Sequence, residues 1–405
     1  VSLDRIRCRI EKLFASAPDP RGGATRLAYS PEEASAMRLV AGWVEEAGLS
    51  ARLDRFGNLW GLPPADGRFV TSGSHVDTVP NGGRLDGALG TVLAVEAAGA
   101  LDGRFGVLVC AGEEAPRFGA GTLGSRQLAG KLGEEGLGRM RDADGVSALA
   151  AREEFLDLLS DIPRLEDPDP LSRVAAHLEV HIEQRRGLKE RVVSVGVATA
   201  VAGPARYRLR FVGESGHSGE ARMRERRDAL CAAAEVILLV ESLARKASAT
   251  VATVGTVAVE PGSITAVPGQ VELGLDVRGA DPGELEEIVA QVVERGREIS
   301  FARDVELSVR LLSRSGPTVL DGRVVELAEE VARREGIPAA RCVSYAGHDA
   351  QHLAGRVPAA LLFAASSNGV SHAPEEEIED VDLENACRMV TALLPELKSE
   401  YGGER

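Results

Sequence analysis

A change of texture part-way along the chain narrows the fold more than any other feature. Up to about residue 203, short apolar runs alternate with segments of helical periodicity, and the same texture returns after Gly316-Pro317. Apolar runs this continuous are typical of strands buried on both faces of a parallel sheet. They predict strands at 69–74, 106–111, 174–180 and 359–365, with helices at 2–16, 31–48, 88–101, 322–335 and 381–397. The 31–48 helix opens on a Ser30 cap, with Pro31 at its first position and Glu33 three residues after the cap. Between these parts the order becomes β-α-β-β-α-β. An alternating strand at 205–212 (ARYRLRFV) leads to a helix at 225–246, strands at 251–260 and 270–279, a helix at 283–300 and a strand at 304–311. That order is ferredoxin-like and makes a complete small α+β domain. The expected fold is therefore α/β, a mostly parallel sheet with helices on both faces, split into 1–203 and 315–405 by an insertion at 204–314.

Composition limits the partners. The 405 residues include 62 Asp and Glu against 47 Lys and Arg, a formal net charge of −15. A surface that acidic repels phosphate backbones and anionic lipid, which argues against nucleic-acid and membrane partners. No run reaches the roughly 18 apolar residues of a spanning helix; the most apolar stretch, 229–244, is broken by Glu235 and Glu241. The first residues, VSLDRIRCRIEKLF, lack the apolar core of a signal peptide. Five cysteines (Cys8, Cys110, Cys231, Cys342 and Cys387) show no C-x-x-C spacing, the pattern of reduced thiols in a cytoplasmic protein.

The chemistry is written in where the ligand-type residues fall. His75, the pair Glu113-Glu114, and His181 each follow a different predicted strand, and His372 follows a fourth after a short loop. Asp86 sits in a glycine-rich loop, NGGRLDGALG. Strand ends of a doubly wound sheet converge on one crevice. Imidazoles and carboxylates gathered there are the ligand set of zinc, manganese or cobalt. On a strand end, Asp77 shares a face with His75 and can fix its tautomer. Adjacent Glu113 and Glu114 diverge, so one can bind metal while the other faces the bound water as a base. Each residue also has an ordinary use: a strand-end histidine as a hydrogen-bonded polar group, the glutamates as a solvated loop, Asp86 as a turn residue beside Gly87. Five positions after the same edge of one sheet favour the metal reading.

The blocks HVDTVPNGGRLDG, EEAPRFGAGTLGSR, HLEVHIEQ, GHSGEARMRERRDAL, GHDAQHLA and SNGVSHAP occur in order between about residues 70 and 375. Together they resemble the N-carbamoyl-L-amino-acid hydrolase and allantoate amidohydrolase branch of the dinuclear metallopeptidase superfamily that includes aminoacylase and carboxypeptidase. The resemblance implies two divalent metals (zinc, manganese or cobalt) bridged by Asp86. His75 and His181 would complete one site and Glu114 and His372 the other, with Glu113 as the general base. It further implies substrate contacts from Gln184, His217, Thr265, Arg278 and the backbone of Gly347, and a small carboxylate-bearing substrate. The inserted domain would serve as lid and as the surface of a homodimer. His348-Asp349 would support the site, while His177 and His352 read as structural. Taken alone, Arg278 could be a surface ion pair, Gln184 a turn cap and His217 a solvent-exposed loop residue.

Two departures touch substrate recognition and leave the metal residues intact. The branch usually carries Asn at the position of Thr265, where its amide helps hold the substrate carboxylate. After His217 it usually reads close to T-T-P-M, whereas Glu220 to Met223 here read EARM. The sequence therefore points to hydrolysis of a linear amide or ureido C–N bond: an N-carbamoyl-L-amino acid first, allantoate or a related ureido acid second, a dipeptide or N-acyl amino acid third. The alternatives from other classes are a metal-holding binding protein without turnover and a protein with a single structural zinc.

Overall fold

The computed structural model describes residues 1–403, and the chain divides into two compact units. The first comprises Val1–Thr199, Val319–Cys342 and the chain from Gly347 onward; the second comprises Ala200–Thr318 and Val343–Ala346.

The first unit is built on a nine-stranded sheet. Its path runs Ser50–Leu53, Leu59–Leu62, Gly106–Val109, Phe69–Gly73, Val174–Ile182, Ala359–Ala364, Val195–Val201 and Thr318–Val319, with Ala339–Ser344 also paired to Val195–Val201. The four central strands, Gly106–Val109 to Ala359–Ala364, are mutually parallel. The strands next to them on either side pair antiparallel. The sheet is thus mixed α/β with a parallel centre. The Ser50–Leu53 and Leu59–Leu62 pair escapes sequence reading because SARL and LWGL are neither continuous apolar runs with clear bounds nor clean alternations. Its turn is organised instead by Asp54, whose carboxylate accepts from the backbone of Phe56 and Asn58 and from Trp60 Nε1.

Strand periodicity sorts side chains to the two faces. Val107 and Val109 join the larger apolar core, while Leu108 and Cys110 join a smaller cluster with Trp60, Phe69 and Leu353. The helix Ala88–Ala100 is buried almost all round, which its run of Ala, Gly and Val permits. A Cβ on Gly90 would lie 1.8 Å from the Val180 carbonyl oxygen, so only glycine lets this helix approach the Val174–Ile182 strand so closely. That contact places the helix's N-terminal end beside His181.

In the second unit, four antiparallel strands lie in the order Glu306–Arg314, Gly203–Val212, Gln270–Gly279, Thr250–Glu260. Burial alternates strictly along Gln270–Gly279. Val271, Leu273, Leu275 and Val277 face a core shared with the helices Ala229–Ala244 and Pro282–Ala302, each burial contributing about 1.5–3 kcal/mol. Glu272, Asp276 and Arg278 take the opposite face. Both helices start on an aspartate cap, Asp228 and Asp281, whose side chains accept from the first-turn backbone. No helix among the described residues is long and apolar enough to cross a membrane.

Candidate metal centre

The central strands deliver the ligand-type residues to one place. His75 follows Phe69–Gly73 and forms an isolated parallel bridge to Cys110, just past Gly106–Val109; Glu113 and Glu114 come next. His181 is the penultimate residue of Val174–Ile182, and His372 lies in the loop after Ala359–Ala364. Asp86 stands just ahead of Gly87, the cap of the helix Ala88–Ala100, where helical N–H groups favour a negative charge.

Asp86 is the hub. Its Oδ1 is 3.0 Å from His181 Nε2 and 3.3 Å from His75 Nε2. Its Oδ2 is 3.5 Å from His372 Nε2, which in turn is 3.3 Å from Glu114 Oε1. The donor atoms of His75, Asp86 and His181 lie within 4.8 Å of one another, as do those of Asp86, Glu114 and His372. Both groups share Asp86.

This arrangement fits a cation. His75 Nε2 is buried and has no hydrogen-bond partner, although it faces a carboxylate. The Nδ1 of His181 lies 2.8 Å from the Ile182 carbonyl, so a neutral ring donates there and turns the lone pair of Nε2 toward Asp86. A lone pair aimed at a carboxylate oxygen is tolerable only with a positive charge between them. Nitrogen and carboxylate donors suit divalent transition metals.

Without a cation, protons fill that role. Burial pulls the His181 imidazole down, but Asp86 outweighs it and raises the group to about 8. Burial opposes protonation of His75 as well, and its contacts with Asp77 and Asp86 lift it well above the usual histidine range. Burial, reinforced by the charge of Asp86, pushes the Glu114 carboxyl up to about 8, and burial pushes Glu113 well above its usual value.

Buried carboxylates hold the loops in register. Asp77 Oδ1 accepts the backbone N–H of Glu113 at 3.0 Å, Oδ2 accepts that of Glu114 at 2.8 Å, and Oδ1 is 3.3 Å from His75 Nδ1. Glu33 reads in the sequence as the partner in a helix capping box. In the structure Ser30 does cap its backbone, but its carboxylate reaches Tyr29 N and, at 2.9 Å, Gly112 N. Three successive N–H groups, 112 to 114, are thus fixed by two carboxylates. Arg26, fully buried, donates to the carbonyls of Val76 and Leu13 beside this network. Gly87 has φ +65°, and a Cβ there would fall 2.4–2.5 Å from the His75 ring. Glu376, at 3 % exposure, accepts the backbone N–H groups of Leu85, Asp86 and His372. Neither Glu33 nor Glu376 carries a sequence signal for a site, because each joins a backbone N–H four residues away to others distant in the chain; the run EEE at 375–377 looks like a solvated loop.

The other expected residues are placed as follows. Gln184 Nε2 donates to Asp86 Oδ2 at 3.1 Å, next to Ser371 Oγ at 3.2 Å. Gly347 is exposed, ahead of the short helix Ala350–Leu353. His348 is buried edge-on to His181, ring centroids 4.8 Å apart, and burial pulls its pKa well below the usual range, so it packs there neutral. Ser125 donates to Asp349. His177 bonds Thr71, and His352 bonds Thr122 and Gln351.

Within the second unit, His217 and Thr265 lie on adjoining segments. His217 pairs with Ala266, and Ser218 N donates to the Thr265 carbonyl at 2.9 Å. The His217 carbonyl accepts from Glu220 and Ala221, so the EARM stretch folds directly onto that histidine's backbone. Arg278 is tethered: Nε donates to Asp276 at 2.9 Å and a terminal nitrogen donates to the Tyr345 carbonyl at 2.9 Å. It lines an open cavity of about 550 Å³ on the sheet's helix-free face, with Arg206, Thr253, Asp276 and Tyr345.

Known proteins are similar to this chain in sequence and fold over nearly their full lengths. Residues 72–396 match the peptidase family M20/M25/M40. An N-carbamoyl-L-amino acid amidohydrolase of Geobacillus stearothermophilus is 35% identical over 391 residues, covering 92% of this chain and 93% of that protein. An allantoate amidohydrolase of Escherichia coli K12 is 33% identical over 396 residues, covering 95% of each. The crystal structure of an amidase of the hydantoinase/carbamoylase family from Burkholderia multivorans superimposes with a TM-score of 0.88 at 28% identity, covering 98% of both chains. The chain belongs to the peptidase family M20/M25/M40, in the branch that holds the N-carbamoyl-L-amino acid and allantoate amidohydrolases.

Proposed function

We propose that this chain is a metal-dependent amidohydrolase cleaving the ureido C–N bond of an N-carbamoyl-L-amino acid to give the amino acid, carbon dioxide and ammonia. The observation that carries the reading is Asp86 shared between two donor groups, with the Glu113 carboxylate 3.9 Å from His75 at their edge. Its relatives include an N-carbamoyl-L-amino acid amidohydrolase, which supports the substrate class. Two divalent ions, zinc, manganese or cobalt, would be held by His75, Asp86 and His181 and by Asp86, Glu114 and His372. When bound, they supply Lewis-acid polarisation of the carbonyl and acidify water.

The remaining steps fall to side chains. Glu113 takes a proton from the attacking water and returns it to the leaving nitrogen. Its backbone is pinned by Asp77, so the carboxylate acts from a fixed position. Arg278 offers a planar fork to the substrate carboxylate. Gln184, His217, Thr265 and the Gly347 backbone complete the contacts to substrate. The 204–314 insertion serves as a lid and as the surface of a homodimer. The substrate is a small carboxylate, and neither nucleic acid nor membrane is a partner. Five cysteines without a disulfide fit a reducing, cytoplasmic setting.

Allantoate is the second reading, since an allantoate amidohydrolase matches at 33% identity. Ammonia release should be measured from N-carbamoyl-L-amino acids, their D-enantiomers and allantoate, and amine release from dipeptides and N-acyl amino acids, with the manganese-loaded enzyme. Fastest turnover of an N-carbamoyl-L-amino acid is the expected result. Preference for allantoate or a dipeptide moves the substrate within the branch. Binding without turnover of any panel member overturns the enzymatic reading.

A further inference from the structure

Glu376 belongs to none of the residue groups that would meet metal or substrate, yet its carboxylate joins two loops that do. Oε2 accepts Leu85 N at 2.8 Å and Asp86 N at 3.1 Å, both in the glycine-rich loop. Oε1 accepts His372 N at 2.9 Å, in the loop after Ala359–Ala364. The residue itself is locked from both sides: Ser367 N donates to the Glu377 carbonyl, Asn368 Nδ2 donates to the Glu375 carbonyl, and Glu376 N donates to the Ala373 carbonyl. His372 has φ +59°, a left-handed conformation that a side-chain-bearing residue keeps only where its surroundings hold it. The hydrogen bond from its N–H to Glu376 is such a hold.

We infer that Glu376 is a positioning residue that sets the spacing between Asp86 and His372, and so assembles the donor group Asp86, Glu114 and His372 in preference to the group His75, Asp86 and His181. This rests on the two-metal reading above. The preference follows from the bond to His372 N, because the other two end in the Asp86 loop that both groups share. None reaches His75 or His181, whose rings are fixed by Asp77 and by the Ile182 carbonyl. Two carboxylate oxygens serve three N–H donors, which an amide cannot do: a glutamine keeps one acceptor oxygen and turns an NH2 group toward an N–H. One loop or the other then loses its anchor. Glu376→Asp gives a second handle: it keeps both acceptor oxygens but draws them back by one methylene from the N–H groups of Leu85, Asp86 and His372.

Calorimetric titration of the chelator-stripped full chain with Mn2+ tests this, with thermal melting of the stripped protein checking that each variant folds. Wild type should take up two equivalents. Glu376→Gln should keep one at near wild-type affinity and weaken the other by about 10–100-fold, the usual cost of losing a partner behind a ligand. Glu376→Asp should show the same split, and His372→Ala should mark the pattern of a broken second group. The kcat of Glu376→Gln should recover at high Mn2+ with KM unchanged. Should Glu376→Gln fail to fold, Glu376→Asp decides. Two equivalents in wild type and unchanged affinities in the folded variants overturn this inference alone. Equal weakening of both equivalents also overturns it. A single equivalent in wild type overturns the two-metal reading and this inference with it.

Discussion

Asp77 Oδ1 stands 3.3 Å from Nδ1 of the buried His75, and the same oxygen accepts the backbone N–H of Glu113. His75 Nδ1 also lies 3.2 Å from the Asp77 backbone carbonyl, so Asp77 orients the imidazole through main chain and carboxylate, and its carboxylate anchors the residue proposed as base. Asp77→Asn keeps the shape but removes the negative charge and half of the acceptor capacity. The expected result is about 10–100-fold weaker metal binding at the His75 group, with kcat falling alongside. Calorimetry of the folded variant measures it, and affinities within twofold of wild type would remove Asp77 from any positioning role.

Glu113→Gln is expected to separate binding from turnover. The amide fills the same space and cannot take up a proton, so kcat should fall by about 10²–10⁴-fold. Metal stoichiometry and KM should stay close to wild type, because Glu113 lies outside both donor groups. Loss of one metal equivalent in this variant would instead make Glu113 a ligand and shift the base elsewhere.

Much of this centre is legible from the sequence because a parallel sheet puts the ends of its strands together. A His or Glu just after an apolar run is thus already placed in space. Glu33 and Glu376 are illegible for the opposite reason. Their partners are backbone N–H groups 79 residues away at Gly112 and 290 residues away at Asp86, and a backbone donor leaves no letter in the sequence. The antiparallel flanks of the sheet are hidden by composition, since SARL at 50–53 and VGVATAV at 195–201 are mixed or rich in small residues and do not stand out as apolar runs. Arg278 illustrates a third limit: the family resemblance implies a carboxylate fork, but its tether to Asp276 and the Tyr345 carbonyl depends on the folded register.

His177 predicts a pH dependence of stability that is independent of metal. Burial at 2 % exposure lowers its pKa from 6.5 to about 3. Between those values the unfolded chain binds a proton that the folded chain does not. Stability is therefore full above pH 6.5 and falls as pH drops toward 3, by about 1.4 kcal/mol per unit within the window. Urea titrations of the metal-free protein at pH 7.0, 6.0 and 5.0 should show this slope reduced by about one proton in His177→Gln relative to wild type. Parallel slopes in the two proteins would mean that His177 charges within the folded state.

Thr265 marks where this chain leaves the pattern of the branch it resembles. Its carbonyl ties to Ser218 N, next to His217, while its hydroxyl is 3.1 Å from Ser263 Oγ on an exposed loop. An asparagine there presents both a donor and an acceptor from a longer side chain. If the position meets the substrate carboxylate, Thr265→Asn adds about one hydrogen bond, worth about 0.5–1.5 kcal/mol, and lowers KM for an N-carbamoyl-L-amino acid by about 2- to 10-fold. The control is the matching N-carbamoyl amine, which lacks the carboxylate and should show no change. Equal shifts for acid and amine would place the effect in the fold of the loop, and an unchanged KM for the acid would remove Thr265 from substrate recognition.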